Sequence, residues 1–254
     1  MGKHIPSTAP DDRDGTEPRR LRTRTRLPAR TSILSVPASA RDVLRARLRA
    51  RFAGTRPGVS GPLSLAGLPP GESERFLHLL PASPRPAAVL VPIVDHADGM
   101  TVLLTERALD LRHHAGQISF PGGRVEPGDG GPAAAALRES EEEIGLGREH
   151  VEVLGFLADH VVMTGFRITP VIALVRPGFT LRIDPTEVAS VFEVPLDFVL
   201  DPANHGLRRR VFGGDEYDVY EMPYGEFDIW GATAGMLAAL WRALQATPAA
   251  GEER

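Results

Sequence analysis

Glu139, Glu142 and Glu143 stand at spacings i, i+3 and i+4 within the run Arg138-Glu139-Ser140-Glu141-Glu142-Glu143. At about 100° per residue, that spacing puts three carboxylates on one face of a helix. An acidic run is most often a solvated face, and like charges one turn apart oppose the helix by about 0.2–0.5 kcal/mol per pair. The residues before this run point to chemistry instead. Gly122-Gly123 and Gly128-Asp129-Gly130-Gly131 lead directly into it. Mg2+ and Mn2+ are hard cations that take carboxylate and water oxygens. Glutamates within one helical turn, beside flexible glycine backbone, suit holding such an ion over a phosphate. Arg138 can orient the carboxylates through charge-assisted hydrogen bonds.

The element that positions these side chains is a short helix. Pro132 suits its first turn, where a missing N–H costs nothing. Ala133 to Ala136 and Leu137 are strong helix formers, and Gly145 sits where a left-handed C-terminal cap belongs. Ala133, Leu137 and Ile144 lie roughly opposite the glutamates and are expected to be buried.

Arg138 through Leu146 resembles the second half of the Nudix box, with RE, EE and G at matching relative positions. The first half departs from the general box. Asp129 stands where Glu is usual, one extra residue separates it from Arg138, and Ser140 replaces the usual aliphatic. The first two departures resemble the coenzyme A pyrophosphatase branch. Upstream, Leu103-Leu104-Thr105-Glu106-Arg107-Ala108 is followed by Arg112, Gly116 and Phe120-Pro121-Gly122-Gly123. That series is similar to the extra motif distinguishing the coenzyme A branch. The two motifs cover 103–146 without a break.

The resemblance implies an α/β fold: a Nudix-type α/β/α sandwich with a mixed β-sheet, here preceded by an N-terminal helical and irregular arm. It implies metal-dependent hydrolysis of the diphosphate of coenzyme A or its derivatives, giving 3′,5′-ADP and 4′-phosphopantetheine or its acyl form. The cofactor implied is Mg2+ or Mn2+. Glu139 and Glu143 are assigned to the metal, with Glu142 a third ligand or a water-positioning carboxylate. Arg138 joins the catalytic set as the residue that orients them. The backbone of Gly122 and Gly123 is expected to approach the metal or the diphosphate. Asp129 is expected to anchor the loop, through Arg138, rather than touch metal.

The general base is expected from outside the box. Glu187 and Glu193 both flank a strand able to supply it, Glu187 is favoured, and a surface role is the competing reading for each. Arg107, Arg112 and Gln117 are candidate substrate contacts, since a guanidinium fork suits phosphate; a structural salt bridge is an equal reading of Arg107. His114 is a better candidate for ligand contact than its neighbour His113. Two other functions stay open. One is a Nudix hydrolase for another nucleoside diphosphate derivative or an oxidised nucleoside triphosphate, against which the upstream motif argues. The other is a non-catalytic Nudix binding module, whose sign would be the loss of one of the three glutamates; all are present.

Composition supports an ordinary globular chain: 254 residues, 42% hydrophobic and 24% charged. A net charge of −4 argues against general nucleic-acid binding. The absence of cysteine excludes disulfides, thiolate metal sites and cysteine nucleophiles. The longest apolar run, Ala87 to Val94, falls far short of the ~20 residues that span a bilayer. The N-terminus lacks an apolar signal core, so the expectation is a cytoplasmic protein acting on a small molecule, with no membrane partner and with a homodimer as one oligomeric option.

Residues 1–36 are polar and carry Arg19, Arg20, Arg22, Arg24 and Arg26, and are expected to form a disordered tail. Residues 37–84 are read as a helix followed by an irregular covering arm. In the helix, capped by Ser39, Val43, Leu44, Leu48 and Phe52 recur at helical spacing. The Nudix domain is placed at 85–248, with 249–254 a tail. Within it, strands are expected over Ala88–Val94, Met100–Thr105, Val151–Leu157, Ile168–Val175 and Val191–Leu196. A hairpin is expected around Gly213-Gly214. A last helix, capped by Thr233, carries an apolar stripe of Met236, Leu237, Leu240, Trp241 and Leu244.

Overall fold

The run Ala87–Val94 is apolar on both sides because both faces of its strand are covered. A computed structural model describes residues 38–58, 64–69, 72–76, 83–212 and 215–246. The expected tails at 1–36 and 249–254 lie outside the described residues. In chain order the elements are α1 (Ala38–Phe52), β1 (Ser64–Leu65), α2 (Ser73–Phe76), β2 (Arg85–His96), β3 (Gly99–Arg107), β4 (Ile118–Ser119), β5 (Gly122–Arg124) and α3 (Pro132–Ile144). There follow β6 (Val151–Phe156), β7 (His160–Val162), β8 (Phe166–Val175), β9 (Val188–Pro195), α4 (Leu196–Leu200), β10 (Gly206–Phe212), β11 (Asp215–Glu221) and α5 (Gly231–Gln245).

One mixed sheet dominates. β2 runs parallel to β8 along its length, from Arg85 against Phe166 to Val94 against Val175. On its other edge β2 is antiparallel to β3, but only from Ile93 to His96. Beyond that point the two strands part. β5 takes over the edge of β2 at Ala87–Val89, and β4 pairs with β3 at Thr105 and Glu106. The chain between β4 and β5 crosses the split, and the Pro121 carbonyl accepts from Leu90 N–H at 2.9 Å. The glycine loop is therefore wedged into a fork of the sheet. β9 closes the outer edge of β3, while β6 and β7 line the outer edge of β8.

Strand alternation sends apolar side chains into two cores. Leu90, Val94, Leu103, Val171 and Ala173 face α3 and meet Ala135, Ala136 and Ile144. Val91, Ile93, Val102, Leu104, Ile172 and Leu174 face the other way and meet Leu48 and Phe52 of α1 and Leu237, Leu240 and Leu244 of α5. Each fully buried side chain of this size contributes about 1.5–3 kcal/mol. The result is the α/β/α sandwich with a mixed sheet. The hairpin β10–β11 stands apart as its own two-stranded sheet.

Two local expectations are corrected. Thr233 does not cap α5: it lies inside the first turn, behind the N-cap Trp230, and its hydroxyl donates to the Ile118 carbonyl at 2.8 Å. On α3 the buried positions are Ala135, Ala136, Ser140, Glu143 and Ile144, while Ala133 and Leu137 are only half-buried. Small side chains at 135, 136 and 140 let the helix come close to the sheet, and the Ser140 hydroxyl is satisfied by the Ala136 carbonyl at 2.7 Å. In the described part of the arm after α1, β1 lies parallel to β7 and α2 follows. No described helix is long and apolar enough to cross a membrane.

Candidate active site

α3 starts at Pro132 and stops at Gly145, which adopts the left-handed conformation at φ 69°. Its N–H donates to the Glu141 carbonyl and that of Leu146 to Ser140, closing the last turn. Held this way, α3 lays Glu139 and Glu143 against β5. A Cβ at Gly123 would fall 2.5 Å from the Glu139 carboxyl carbon, so any side chain there would displace that carboxylate from β5. The Gly122 N–H donates to Glu143 Oε2 at 3.1 Å.

The three glutamates share a helical face but not an environment. Glu143 is 4% exposed. Burial pushes its carboxyl up to about 8; the Gly122 N–H and Arg107 oppose this, and the charges of Glu187 and Glu139 add to it. Glu139 is also shifted upward, mainly by burial and against the pull of Arg138, with Glu142 and Glu187 adding repulsion. The Glu142 side chain, 59% exposed, points to solvent.

Arg138 organises this cluster. Its Nη1 donates to Glu139 Oε1 and to Glu142 Oε2, each at 2.9 Å. Its Nε and Nη2 donate to the two oxygens of Asp129 at 3.0 and 3.1 Å, and Nη2 also reaches the Arg124 carbonyl at 3.1 Å. Asp129 thus ties the loop to the helix. The Arg138 guanidinium and the Glu126 N–H hold its carboxyl below the usual range.

Arg107 ends β3 at a register shift. Its N–H donates to the Gln117 carbonyl at 3.0 Å and its carbonyl accepts from Gly116 at 3.1 Å, which fixes the base of the 108–117 loop. Its Nε is buried without a hydrogen-bond partner among the described residues, and its charge acts on Glu143. The Ala108 N–H donates to the Glu187 carbonyl at 2.9 Å. The exposed Glu187 is thereby placed beside this cluster, where its charge is felt by both Glu139 and Glu143. Glu193 is elsewhere: it pairs across from Leu103 and accepts from Thr101 Oγ1 at 2.6 Å and His96 Nε2 at 2.7 Å. In the loop, His114 takes φ 59° and its Nδ1 bonds Gln117 Oε1 at 2.9 Å. Arg112 and His113 are exposed. The Arg124 carbonyl is a contact to Arg138 that the sequence reading did not single out; its one signal was its place directly after Gly122-Gly123.

The oxygen donors here are of the kind Mg2+ or Mn2+ accepts. A buried carboxyl that favours its proton in the absence of a cation, pressed against glycine backbone, suits a cation that would neutralise it. As the side chains stand, Arg138 engages both Glu139 and Glu142, and no three acidic or histidine groups among the described residues converge to hold an ion. In kind, the carboxylate donors of Glu139, Glu142 and Glu143 fit a divalent ion, and Arg138 is the group such an ion would have to displace from Glu139 and Glu142.

Residues 84–212 match the NUDIX domain family model. The chain belongs to the Nudix family. Among similar relatives is the uncharacterized Nudix hydrolase NudL of Photorhabdus laumondii, 40% identical over 178 residues, 67% of this chain and 95% of the relative. The protein of that name from Citrobacter koseri is 42% identical over 156 residues, 61% of this chain and 81% of the relative. A solved MutT/nudix family protein from Enterococcus faecalis is 18% identical, with a TM-score of 0.41 and 70% of each chain covered. The protein is thus a Nudix hydrolase, a class that acts on small molecules and generally uses divalent ions such as Mg2+ or Mn2+.

Proposed function

We propose that this Nudix hydrolase cleaves the diphosphate of coenzyme A or a close derivative to 3′,5′-ADP and 4′-phosphopantetheine. The observation that carries the reading is the continuous series from Leu103 to Gly123. It resembles the coenzyme A branch, and it leads from Arg107, which acts electrostatically on Glu143, to the glycines that bear on Glu139 and Glu143.

Water attacks one phosphorus, the bond from that phosphorus to the bridging oxygen breaks, and two phosphate monoesters leave. Glu139, Glu143 and, once released from Arg138, Glu142 would hold the divalent ion, which supplies charge neutralisation at the phosphates and a more acidic water. Glu187 is exposed beside these groups and takes the proton of the attacking water. Arg107 faces the diphosphate with a guanidinium that has donors to spare. Arg138 and Asp129 hold the carboxylates and the loop in register, which keeps the reacting groups aligned. Arg112, His114 and Gln117 belong to the loop that covers the substrate's remote parts.

The test is product identification by mass spectrometry after incubation with coenzyme A and Mg2+ or Mn2+. It is joined to a comparison of kcat/KM for coenzyme A, ADP-ribose and oxidised dGTP under one metal condition. The expected result is the two named products and a preference for coenzyme A. A tenfold preference for either competitor overturns the substrate and leaves the family.

A further inference from the structure

The end of the sheet beside the glycine loop carries positive charge that no described residue neutralises. Arg85 begins β2, Phe166 begins β8 and Arg124 ends β5. Arg85 pairs with Phe166, and Arg124 pairs with Ala87, two residues along β2. By strand alternation these three side chains share the face opposite α3. The guanidinium carbon of Arg85 lies 4.2 Å from the Phe166 ring centroid and that of Arg124 lies 5.7 Å from it. Both arginines are exposed, and neither side chain has an ion pair or hydrogen bond among the described residues. Arg167, next along β8, is by contrast engaged with Asp159 at 3.5 Å.

An aromatic face attracts two guanidiniums through its quadrupole without cancelling their charge, as a carboxylate would. Their forked N–H groups stay available for an anion. In a chain of net charge −4, this is a local reversal of sign. It is also rigidly linked to the candidate active site. Arg124 directly follows Gly123, whose α-carbon bears on Glu139, and its carbonyl is held by Arg138. From β5 across β2 to β8 is two strand spacings, roughly 10 Å. The patch therefore begins one residue along the chain from the glycine that meets Glu139, at the same end of the sheet but on its opposite face. On the proposed reading, Arg107, which acts on Glu143, serves the reacting diphosphate and leaves this patch to another group.

We propose that Arg85 and Arg124, held side by side by the Phe166 ring, form the subsite for a phosphate monoester remote from the reacting diphosphate. On the reading of the substrate as coenzyme A, on which this assignment rests, that group is the 3′-phosphate. Arg85 and Arg124 are binding residues, and Phe166 is a positioning residue.

The experiment compares kcat/KM for coenzyme A and for dephospho-coenzyme A, which lacks only the 3′-phosphate. The wild-type protein should prefer coenzyme A by about ten- to a hundredfold, the size of a charge-assisted contact. In an Arg85→Gln/Arg124→Gln variant the ratio should fall to near one, and in Phe166→Leu it should fall partway. Because both substrates are read on one preparation, a general loss of activity cancels, and thermal melting checks folding; Arg124→Gln alone serves if the double variant melts early. A wild-type ratio near one, or a ratio that survives in the variants, overturns the subsite even where coenzyme A is the preferred substrate. If the wild type prefers ADP-ribose or oxidised dGTP, the substrate reading fails, and calorimetry with 3′,5′-ADP and 5′-AMP then decides the subsite alone. A wild-type preference for 3′,5′-ADP that the double variant loses upholds it; equal binding of the two ligands, or an unchanged preference, overturns it.

Discussion

Against one face of the sheet, α5 buries Leu237, Leu240 and Leu244 with a single neutral hydroxyl, that of Thr233, whereas against the other, α3 takes Ser140 and the carboxyl of Glu143 to nearly the same depth as Ala136 and Ile144. The first covering gains about 1.5–3 kcal/mol per large side chain. The second forgoes part of that gain, because a buried carboxyl resists ionisation, which is why Glu143 is pushed up to about 8. The two layers divide the labour. α5 and α1 stabilise the sheet, and α3 uses that stability to keep a carboxyl in a place where water would not leave it.

The largest effect that tests this division is on turnover. Glu143→Gln keeps the shape and removes the charge, and should lower kcat by roughly 10^3-fold, about 4 kcal/mol of barrier, while folding is retained. Steady-state kinetics at saturating Mg2+ or Mn2+, beside a thermal melt, checks it; near wild-type turnover removes Glu143 from the site. Leu240→Ala should show the opposite pattern, costing about 2–5 kcal/mol of stability in denaturant unfolding. Turnover per folded molecule should stay close to wild type, and a selective loss of kcat at unchanged stability would dissolve the contrast.

A smaller effect separates the faces by pH in the chelated protein. His160 lies beside Phe52, Ala239 and Arg242 in a cleft at the α5 face. Burial, with the Arg242 charge, pulls its pKa from 6.5 down to about 4. Between those values the unfolded chain binds a proton the folded one refuses, so stability is lost as pH falls from 6.5 towards 4. Glu143 behaves oppositely. Its folded pKa of about 8 stands above the 4.5 of the free group, so the folded chain keeps a proton the unfolded one has released. Stability from this group is full below pH 4.5 and is lost as pH rises towards 8. Between about pH 4.5 and 6.5 the two effects oppose each other, so the wild-type melting temperature should vary little there and fall by several degrees from pH 6.5 towards 8. His160→Phe should extend that fall down to about pH 4.5, whereas Glu143→Gln should abolish it and uncover a fall from pH 6.5 towards 4; a shared response would show that the slopes belong to other groups.

The smallest effect expected is none. A protein beginning at Val36 should keep its melting temperature and kcat, because the removed residues have no apolar periodicity with which to join either layer. A large fall in either quantity would add the tail to one of them.

What the sequence determined by itself is local. Pro132 and Gly145 mark the ends of α3 because the bonds they permit or forgo close within a few residues. The strands were found where apolar residues run, but β2 and β3 extend past Ala88–Val94 and Met100–Thr105 to polar ends such as Arg85, His96 and Arg107. A ladder pairs backbone groups whatever the side chains are. The spacing of Glu139, Glu142 and Glu143 placed them on one helical face, yet only the fold decided that Glu143 meets the Gly122 N–H while Glu142 meets solvent and Arg138. Glu187 and Glu193 are six positions apart on one stretch, and the partners that separate them, Ala108 for one and Thr101 with His96 for the other, come from a different strand pair. Thr233 looked like a cap from its own neighbourhood, and its hydroxyl instead serves Ile118, 115 positions away. Arg85, Arg124 and Phe166 carry no local pattern at all. They meet because β5, β2 and β8 are adjacent in the sheet, and strand adjacency is set by burial of the whole apolar surface rather than by any short run of residues.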